Sequence, residues 1–428
     1  MSNKVSLDDI VSLCKRRGFI YPGSEVYGGL SGTWDYGPLG QMLKRNLVET
    51  FWAFFVDRRD DMYSVDAAIL MNPKTWKASG HVDTFTDPLV ECKNCHQRYR
   101  ADKIDMKKSC PTCGKKDWSE VKQFNMMFKT NVGSVTDETS VAYLRPETAQ
   151  GIFTNFKNIV GSFYPDLPFG IAQHGKAFRN EISPRDFVFR AREFEQMEIE
   201  YFVKPDAWEE AFEAWRKDIH EFLDRLGLPK DMVHELEVPA ADRAHYSKRT
   251  IDFEFDYPIG REELMGLAYR TDFDLKNIER ESGKNMEYTV KGSSDKFVPH
   301  VIEPSFGVER LIMAILTAAY TVDEVNGEER AVLKLPHAVA PYHYAVAPLL
   351  KNKPELVKKA REVYVQMKDK YHKVLWDDNG NIGKRYRRAD EIGIPEYIVV
   401  DFTTLEDDTV TVRNRDTTKQ IRVKIEKL

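Results

Sequence analysis

Arg192-Glu193-Phe194-Glu195-Gln196-Met197-Glu198-Ile199-Glu200-Tyr201-Phe202-Val203 alternates with a period of two from Phe194 onward. Residues two apart share a face of a strand, so Gln196, Glu198 and Glu200 fall on one side and Met197, Ile199, Tyr201 and Val203 on the other. The pattern predicts a strand with one packed face and one face lined with carboxylates. Just upstream, Phe178-Arg179-Asn180-Glu181 leads into Ser183-Pro184-Arg185-Asp186, a turn-rich stretch that can close an antiparallel hairpin. Arg179 and Glu181 then project to one face.

A second segment, Glu303-Pro304-Ser305-Phe306-Gly307-Val308-Glu309-Arg310, runs into the apolar helix pattern Leu311, Ile312, Ala314, Ile315. Gly307 permits close approach of backbone to a ligand, and Arg310 falls in the first helical turn. Guanidinium groups suit phosphate because they stay charged and donate in a planar fork. Taken singly, either segment also reads as an ordinary hairpin or a capped core helix with surface ion pairs.

Further strands are expected at Gly170-Ile171-Ala172-Gln173 and Ile251-Asp252-Phe253-Glu254-Phe255-Asp256, with a helix patterned Trp208, Phe212, Trp215, Ile219, Phe222, Leu223 between them. Near the start, Leu47, Phe51, Phe54 and Phe55 mark an apolar-aromatic helix. Antiparallel strands with surrounding helices give an α+β body. After a boundary near Glu328-Glu329-Arg330 the order becomes strand (344–347), helix (354–370), strand (373–376), helix (382–392), strand (397–400) and a final hairpin, the pattern of a separate α/β domain. The divisions expected are 1–90, 91–120, 121–330 and 335–428.

At 428 residues, with 12% aromatic residues, the chain can bury a sizeable core in two or three domains. Leu311 to Tyr320 is too short an apolar run to cross a bilayer, and Met1 to Ile10 is too polar for a secretory leader, so no membrane association and a cytoplasmic setting are expected. A net charge of -5 argues against indiscriminate coating of nucleic acid, though local basic patches can still attract phosphate. Lys384-Arg385-Tyr386-Arg387-Arg388 is the densest such patch, with Arg413, Arg415, Lys419, Arg422 and Lys424 following.

Cys92-Lys93-Asn94-Cys95 and Cys110-Pro111-Thr112-Cys113 are two CxxC pairs of the kind that hold a structural Zn2+ through four thiolates. Disulfides are the competing reading; a reducing compartment and the lysine- and arginine-rich intervening stretch favour the metal. His96 is a possible substitute ligand, and Cys14 stands alone.

In their order and separation, the two opening segments resemble the second and third signature motifs of class II aminoacyl-tRNA synthetases. Arg17-Gly18-Phe19, the run from Gly28 to Gly40, and Leu144-Arg145-Pro146-Glu147-Thr148-Ala149-Gln150-Gly151 narrow the resemblance to the dimeric glycyl-tRNA synthetases. The block from Asp66 to Pro73, followed by Trp76-Lys77-Ala78-Ser79-Gly80-His81, resembles the first motif at the dimer interface. Ser305 departs from the glycine common in the wider class at that place, and the glycine-specific branch commonly has serine there.

The resemblance implies ATP-dependent attachment of glycine to tRNA(Gly) through a glycyl adenylate, with a C-terminal anticodon-binding domain and a homodimer. It places Arg179 on the α-phosphate, Arg310 at the γ-phosphate end, Glu181 on the adenine amino group and Phe194 beneath the ring. Asn180, Phe189, Arg190, Ala191, Arg192, Glu193, Glu263, Leu264, Gly307, Val308 and Glu309 complete the expected ATP site, and Arg190 and Arg192 can also reach the tRNA acceptor end. Mg2+ is expected between phosphates, on Glu263 or Glu303. For glycine, Glu147, Glu198 and Glu303 are expected around the ammonium, Ser305 in the space a Cβ would need, and Arg100 against the substrate. The neighbouring Glu195, Gln196, Met197, Pro304, Phe306 and Gly307 are expected to line the same pocket. Lys384, Arg385, Arg387 and Arg388 are expected to meet tRNA. Two other assignments carry similar domains: a class II enzyme for threonine, proline or histidine, against which the residues around Glu147 and Ser305 speak, and a non-catalytic relative, against which intact Arg179, Glu181 and Arg310 speak.

Overall fold

Burial along Glu193–Val203 follows from its place at the centre of a seven-stranded sheet. In the computed structural model, which describes residues 5–428 except 135–136, 138–139 and 326, the strands are β1 (Met62–Ser64), β2 (Phe169–Phe178), β3 (Glu193–Val203), β4 (Val233–Glu237), β5 (Arg249–Tyr257), β6 (Gly260–Thr271) and β7 (His300–Gly307). Their order is β4-β5-β6-β7-β3-β2-β1. All neighbours are antiparallel except the edge pair β1 and β2. The hairpin of β2 and β3 sets Phe194 opposite Ala177 and Glu198 opposite Gln173, and on the other side β7 sets Ser305 opposite Glu198.

Helices α1 (Pro38–Trp52), α2 (Ala149–Phe163), α3 (Trp208–Arg225), α4 (Phe273–Ser282) and α5 (Val308–Ala319) cover the two faces of the sheet. Met197, Ile199, Tyr201 and Val203 pack with α1, α3 and α5, where Phe51, Phe55, Phe222 and Phe306 make ring contacts of 4.9 to 6.3 Å. α1 runs directly into a π-helical turn, Ala53–Asp57, which buries Phe54 and Phe55 in this cluster. On the opposite face Phe202, Ile171 and Phe169 pack under α2 and Leu275 of α4. The carboxylates of β3 therefore face the α2 and α4 side. The α+β architecture is as expected.

The expected insertion at 91–120 is part of a longer unit. Its three-stranded sheet runs Thr86–Glu91, Arg98–Arg100 and Lys122–Asn125, with Thr86 opposite Asn125, so pairing extends the unit beyond both expected ends. The expected division at 330 is corrected by the hairpin Tyr320–Val325 and Glu328–Leu333, since a cut there would split its second strand. After 334 a five-stranded sheet has the order 374–376, 344–348, 396–400, 409–414, 420–424, parallel over the first three. The helix Phe402–Asp407 was not anticipated; a capping box between Asp401 and Thr404 starts it.

Several residues of the expected basic surface prove to be internal braces. Arg385 is 1% exposed and donates to the carbonyls of Pro348, Asp378 and Gly380. Arg413 donates to both oxygens of Asp390 at 2.8 and 3.0 Å, and Arg330 of the hairpin donates to the same carboxylate at 2.9 Å. Arg415 reaches the carbonyls of Leu335 and Gly393. Their cationic ends compensate buried acceptors, which charge counting along the sequence cannot distinguish from a solvated face.

Asp390 holds two buried guanidinium groups from opposite sides of the domain junction. Asp390→Ala should therefore lower the unfolding free energy by about 3–5 kcal/mol, because Arg413 loses its carboxylate while remaining buried and Arg330 keeps only Asp323 and the Arg415 carbonyl. Urea unfolding checks this, with exposed Lys419→Ala expected within about 0.5 kcal/mol of the unmodified protein. Equal stability of the two variants would remove the brace assigned to Asp390.

Candidate active site

A cavity of about 470 Å³ opens between β3, β6, β7 and the loop after β2. Its cationic end is built by α5, whose first turn projects Arg310 over the ring of Phe189 at 4.7 Å. Arg310 donates to the carboxylate of Glu263 at 2.9 Å and to its carbonyl at 3.2 Å. Arg310 holds the Glu263 carboxyl below the usual carboxylate range. Burial raises neighbouring Asp252 to about 6, with Glu263 adding to the shift. At the other wall Arg179 donates to the Pro146 carbonyl at 3.1 Å and lies 5.2 Å from the Phe194 ring. Glu181 sits 3.6 Å from Arg190 and keeps one buried carboxylate oxygen without a hydrogen-bond partner.

The anionic end is a cluster of buried carboxylates. Glu198 accepts from the backbone N–H and hydroxyl of Thr148 at 2.9 and 2.5 Å on one oxygen, and from Ser305 Oγ at 2.7 Å and Gln196 Nε2 at 2.9 Å on the other. Four donors occupy the roughly four lone-pair positions a carboxylate offers. Glu147 and Glu303 are less engaged. Glu147 receives His81 Nε2 at 3.2 Å and Gln150 at 3.3 Å, while Glu303 receives Arg270 on one oxygen at 2.7 Å. Arg270 is 2% exposed and forks onto Asp274 with two bonds of 2.8 Å, its guanidinium 3.7 Å above Tyr246. Burial opposes ionisation of Glu147, but His81, Arg270 and Arg179 hold its carboxyl well below the usual range. Burial pushes Glu303 up to about 8, with Arg270 opposing and Glu198 and Glu147 reinforcing.

The expected site residues divide by strand parity. Arg100, Glu147, Arg179, Glu181, Phe189, Arg190, Ala191, Phe194, Gln196, Glu198, Glu263, Leu264, Glu303, Ser305, Gly307, Glu309 and Arg310 line the cavity. Glu195 and Met197 do not; they point to the other face of β3, where Glu195 pairs with Lys44 at 2.6 Å and His174 at 2.7 Å and Met197 is core. Phe306 is core for the same reason, Val308 is buried at the start of α5, and Pro304 is buried in β7 outside the cavity. Glu193 is exposed beside Lys176, and Asn180 serves through its backbone N–H to Met126. Arg192 donates to the carbonyls of Ser31 and Glu181, bracing the glycine-rich N-terminal loop against the loop after β2. Contiguous motif runs overreach here because a strand gives only alternate residues to one face.

Residues 128–319 match the family model for the tRNA synthetase class II core domain (G, H, P, S and T), and residues 343–428 match the anticodon binding domain. A glycine–tRNA ligase of Clostridium tetani is 47% identical, the alignment covering 100% of this chain and 98% of that protein. Those of Clostridium acetobutylicum and Caldanaerobacter subterraneus are 46% and 44% identical at the same coverage. The chain belongs to the glycine–tRNA ligase family. In fold it is similar to Giardia lamblia prolyl-tRNA synthetase in complex with prolyl-adenylate, with a TM-score of 0.71 and 16% identity over 99% of this chain and 75% of that one.

The four cysteines expected to bind metal converge. All four sulfurs lie within 4.8 Å of one another, with Cys92 to Cys113 at 3.6 Å and Cys95 to Cys110 at 3.7 Å. Those separations match the edges of a tetrahedron with metal–sulfur bonds of about 2.3 Å and far exceed a disulfide bond of about 2.05 Å. The cluster can bind a metal. Each knuckle turns through a positive φ after its second cysteine, at His96 and Gly114. His96 pairs with Glu91 and lies outside the four-sulfur set.

Sequence reading missed Arg270, Asp274, Tyr246, Thr148 and His81. Arg270 and Asp274 carry a weak signal, being four apart where a strand passes into a helix. Glu200 was placed on the carboxylate face by alternation yet given no role. It is fully buried, neither carboxylate oxygen has a hydrogen-bond partner among the described residues, and burial with Glu303 nearby raises its pKa well above the usual range.

A carboxyl with a raised folded pKa contributes fully below its unfolded value of about 4.3 and loses that contribution as pH rises towards the folded value. Glu200→Gln should thus match the unmodified protein near pH 4 and become progressively more stable than it above that, by up to about 1.4 kcal/mol per pH unit. Urea unfolding at about pH 5 and about pH 8 measures the divergence. A constant difference between those pH values would show that Glu200 does not carry a buried proton.

Proposed function

We propose that the chain attaches glycine to tRNA(Gly) in two steps at this cavity, and the observation that carries the reading is its polarity: Arg179 and Arg310 at one end, and buried carboxylates with unoccupied oxygens at the other. In the first step a glycine carboxylate oxygen attacks the α-phosphorus of ATP and the bond to the bridging oxygen breaks, so pyrophosphate leaves with the electron pair. In the second, a hydroxyl at the tRNA 3′ end attacks the glycyl carbonyl, loses its proton, and AMP leaves. Both steps depend on positioned charge more than on a dedicated base.

Arg179 suits the α-phosphate and attacking carboxylate, and Arg310 the far phosphates, where Glu263 can exchange its contact for a shared cation. Glu263 is the carboxylate that would hold Mg2+, whose contribution there is neutralisation of phosphate charge. Glu303, engaged by Arg270, stays with the anionic end. Glu147 and Glu303 are the carboxylates with room to accept from a glycine ammonium. Glu198, its lone pairs filled, instead fixes Ser305 and Thr148 at the wall where a larger substrate would carry its Cβ. Exclusion by collision exceeds what an apolar pocket can achieve between methylenes, so selection needs no separate editing domain.

The cysteine cluster is a structural Zn2+ site by its closed four-thiolate donor set. The exposed Phe163 and Tyr164, next to Tyr63 of the short edge strand β1, support a homodimer through that edge. On the C-terminal domain Lys384 and Arg387 remain exposed, although Arg387 pairs with Glu328, and they are the tRNA contacts that survive of the four expected; Arg388 is tied to Asp377. Among the described residues no helix is long and apolar enough to cross a membrane, and a translation enzyme of this kind works in the cytoplasm.

Purified protein should support glycine-dependent ATP–pyrophosphate exchange and glycylation of tRNA. Arg310→Ala should reduce exchange by about 10²–10³-fold, the range for removing one preorganised charge from a transition state, with the circular dichroism spectrum unchanged. Exchange near the unmodified rate would remove Arg310 from the mechanism. Metal analysis should find one zinc per chain, and Cys110→Ser should release it while leaving the central sheet folded. A fully zinc-loaded Cys110→Ser protein would contradict the four-thiolate assignment.

A further inference from the structure

Glu200 is buried in the middle of β3 and does not line the cavity, yet the anionic end of the cavity is built against it. The register that sets Glu198 opposite Ser305 and Tyr201 opposite Ile302 brings Glu200 opposite Glu303 of β7. Side chains opposed in this way on one face of a sheet are direct neighbours. Neither oxygen of Glu200 has a hydrogen-bond partner among the described residues, and Glu303 receives only Arg270, on one oxygen. Two facing carboxyls removed from water cannot both be charged. A carboxylate without a donor is the costlier form in such a place, whereas a carboxylic acid brings its own donor.

The groups packed around the pair leave it short of positive charge. Arg270 of β6 is the cation acting on both carboxyls, and it also holds Asp274 of α4 through two bonds, with Tyr246 beneath it. Glu198 on β3 and Glu147 in the loop before α2 add negative charge, and His81 is engaged by Glu147. On the other side of β3, β2 offers only the neutral Ile171 and Gln173 opposite Glu200 and Glu198. Burial pushes Glu303 up to about 8 against the pull of Arg270, and burial with Glu303 raises Glu200 well above the usual range.

Resting on the reading that glycine is the amino acid activated, we propose that glycine binds by exchanging its ammonium for the acid proton of Glu303, and that Glu200 is the positioning residue for this exchange, staying protonated and donating to the newly charged Glu303. The O–H bond of Glu303 breaks, its electron pair stays on the carboxylate, and the proton leaves through the cavity to solvent. Glu200 neither gains nor loses a proton. Below about 8 the free protein holds the proton that binding must expel, so the glycine KM should fall by about tenfold per unit as pH rises from about 6 to about 7.5.

The test counts protons. The stable adenylate analogue 5′-O-(glycylsulfamoyl)adenosine carries the ammonium, and its acetyl counterpart lacks it. Calorimetric titration of the full chain at about pH 6.5, where an α-amino group is charged, in two buffers of different ionisation enthalpy should show about one proton released per glycyl analogue and close to none per acetyl analogue. Glu200→Gln keeps a neutral donor facing Glu303, so the proton count and the glycine KM in pyrophosphate exchange should stay within about twofold of the unmodified protein. Glu200→Leu removes the donor and should raise the glycine KM by about tenfold or more while the KM for ATP stays within about twofold. Absence of proton release with the glycyl analogue would overturn the exchange. A glycine KM raised about tenfold in Glu200→Gln would show Glu200 acting as an anion and overturn its role, whether or not Glu200→Leu folds. If the unmodified protein showed no pyrophosphate exchange with glycine at all, the underlying reading of the activity would fall first, a result separable from both.

Discussion

Arg270 is the constraint around which the catalytic body is arranged. One fully buried guanidinium joins Asp274 at the start of α4 to Glu303 on β7, while Glu147, Glu198 and Glu200 are buried around it. With Arg270 among them and Arg179 the other guanidinium acting on Glu147, so many buried carboxylates cannot all be balanced as ionised groups. The cluster divides the burden unequally: Glu147 is held anionic, Glu303 and Glu200 hold protons more tightly, and Glu198 is satisfied by four donors. A site left short of positive charge is one that an incoming ammonium completes, which converts a folding cost into binding selectivity.

The sheet makes that arrangement reproducible. Glu198 and Ser305 are opposed across β3 and β7, and Glu303 is opposed to Ala268 across β7 and β6, so register alone gathers side chains from three strands. Behind them the aromatic cluster of α1, the turn after it and α3, with the aliphatic side chains of α5, locks Met197 and Phe306 on the opposite face. A slip of one residue in β3 would exchange Glu198 for Met197 in the site and drive a carboxylate into that cluster. Packing on one face therefore secures the chemistry on the other. Arg145 extends the same logic to Glu147: buried, it donates to the carbonyls of Lys176 and Ala67, and Gly175 leaves room for it, since a Cβ there would lie 2.2 Å from the guanidinium.

Period-two alternation in β3 and β5, the helix stripe of α3 and the strand–helix order after residue 343 were all legible in the sequence, because each is a local pattern of burial. The four cysteines were legible for the same reason. What could not be read was pairing between distant residues. Arg270 and Asp274 look like a surface pair until β6 and α4 are placed, and Arg385, Arg413 and Arg415 look like a basic patch until their carbonyl and carboxylate partners close around them. Motif runs erred in the other direction, admitting Glu195, Met197 and Phe306 to a site that parity excludes them from. The domain edge near 330 was misplaced because the hairpin 320–333 is charged along much of its length, like a linker, yet pairs residue by residue.

Charge in this molecule acts by location, and the net value conceals it. Buried carboxylates are concentrated at one end of the cavity and Arg179 and Arg310 at the other. The C-terminal domain is coupled to this body by an apolar seam that includes Leu335, Ala345 and Ile394 and by buried polar contacts, Arg330 to Asp390 on one side and Asn46 of α1 to the Ala340 carbonyl at 2.7 Å on the other. Contacts of that kind require alignment to be satisfied, whereas an apolar interface would tolerate sliding. A substrate long enough to touch both the C-terminal domain and the cavity thus meets two surfaces whose relative placement is set by that seam and aligned by its hydrogen bonds. Recognition at one can then contribute to orientation at the other without any change of shape in the protein.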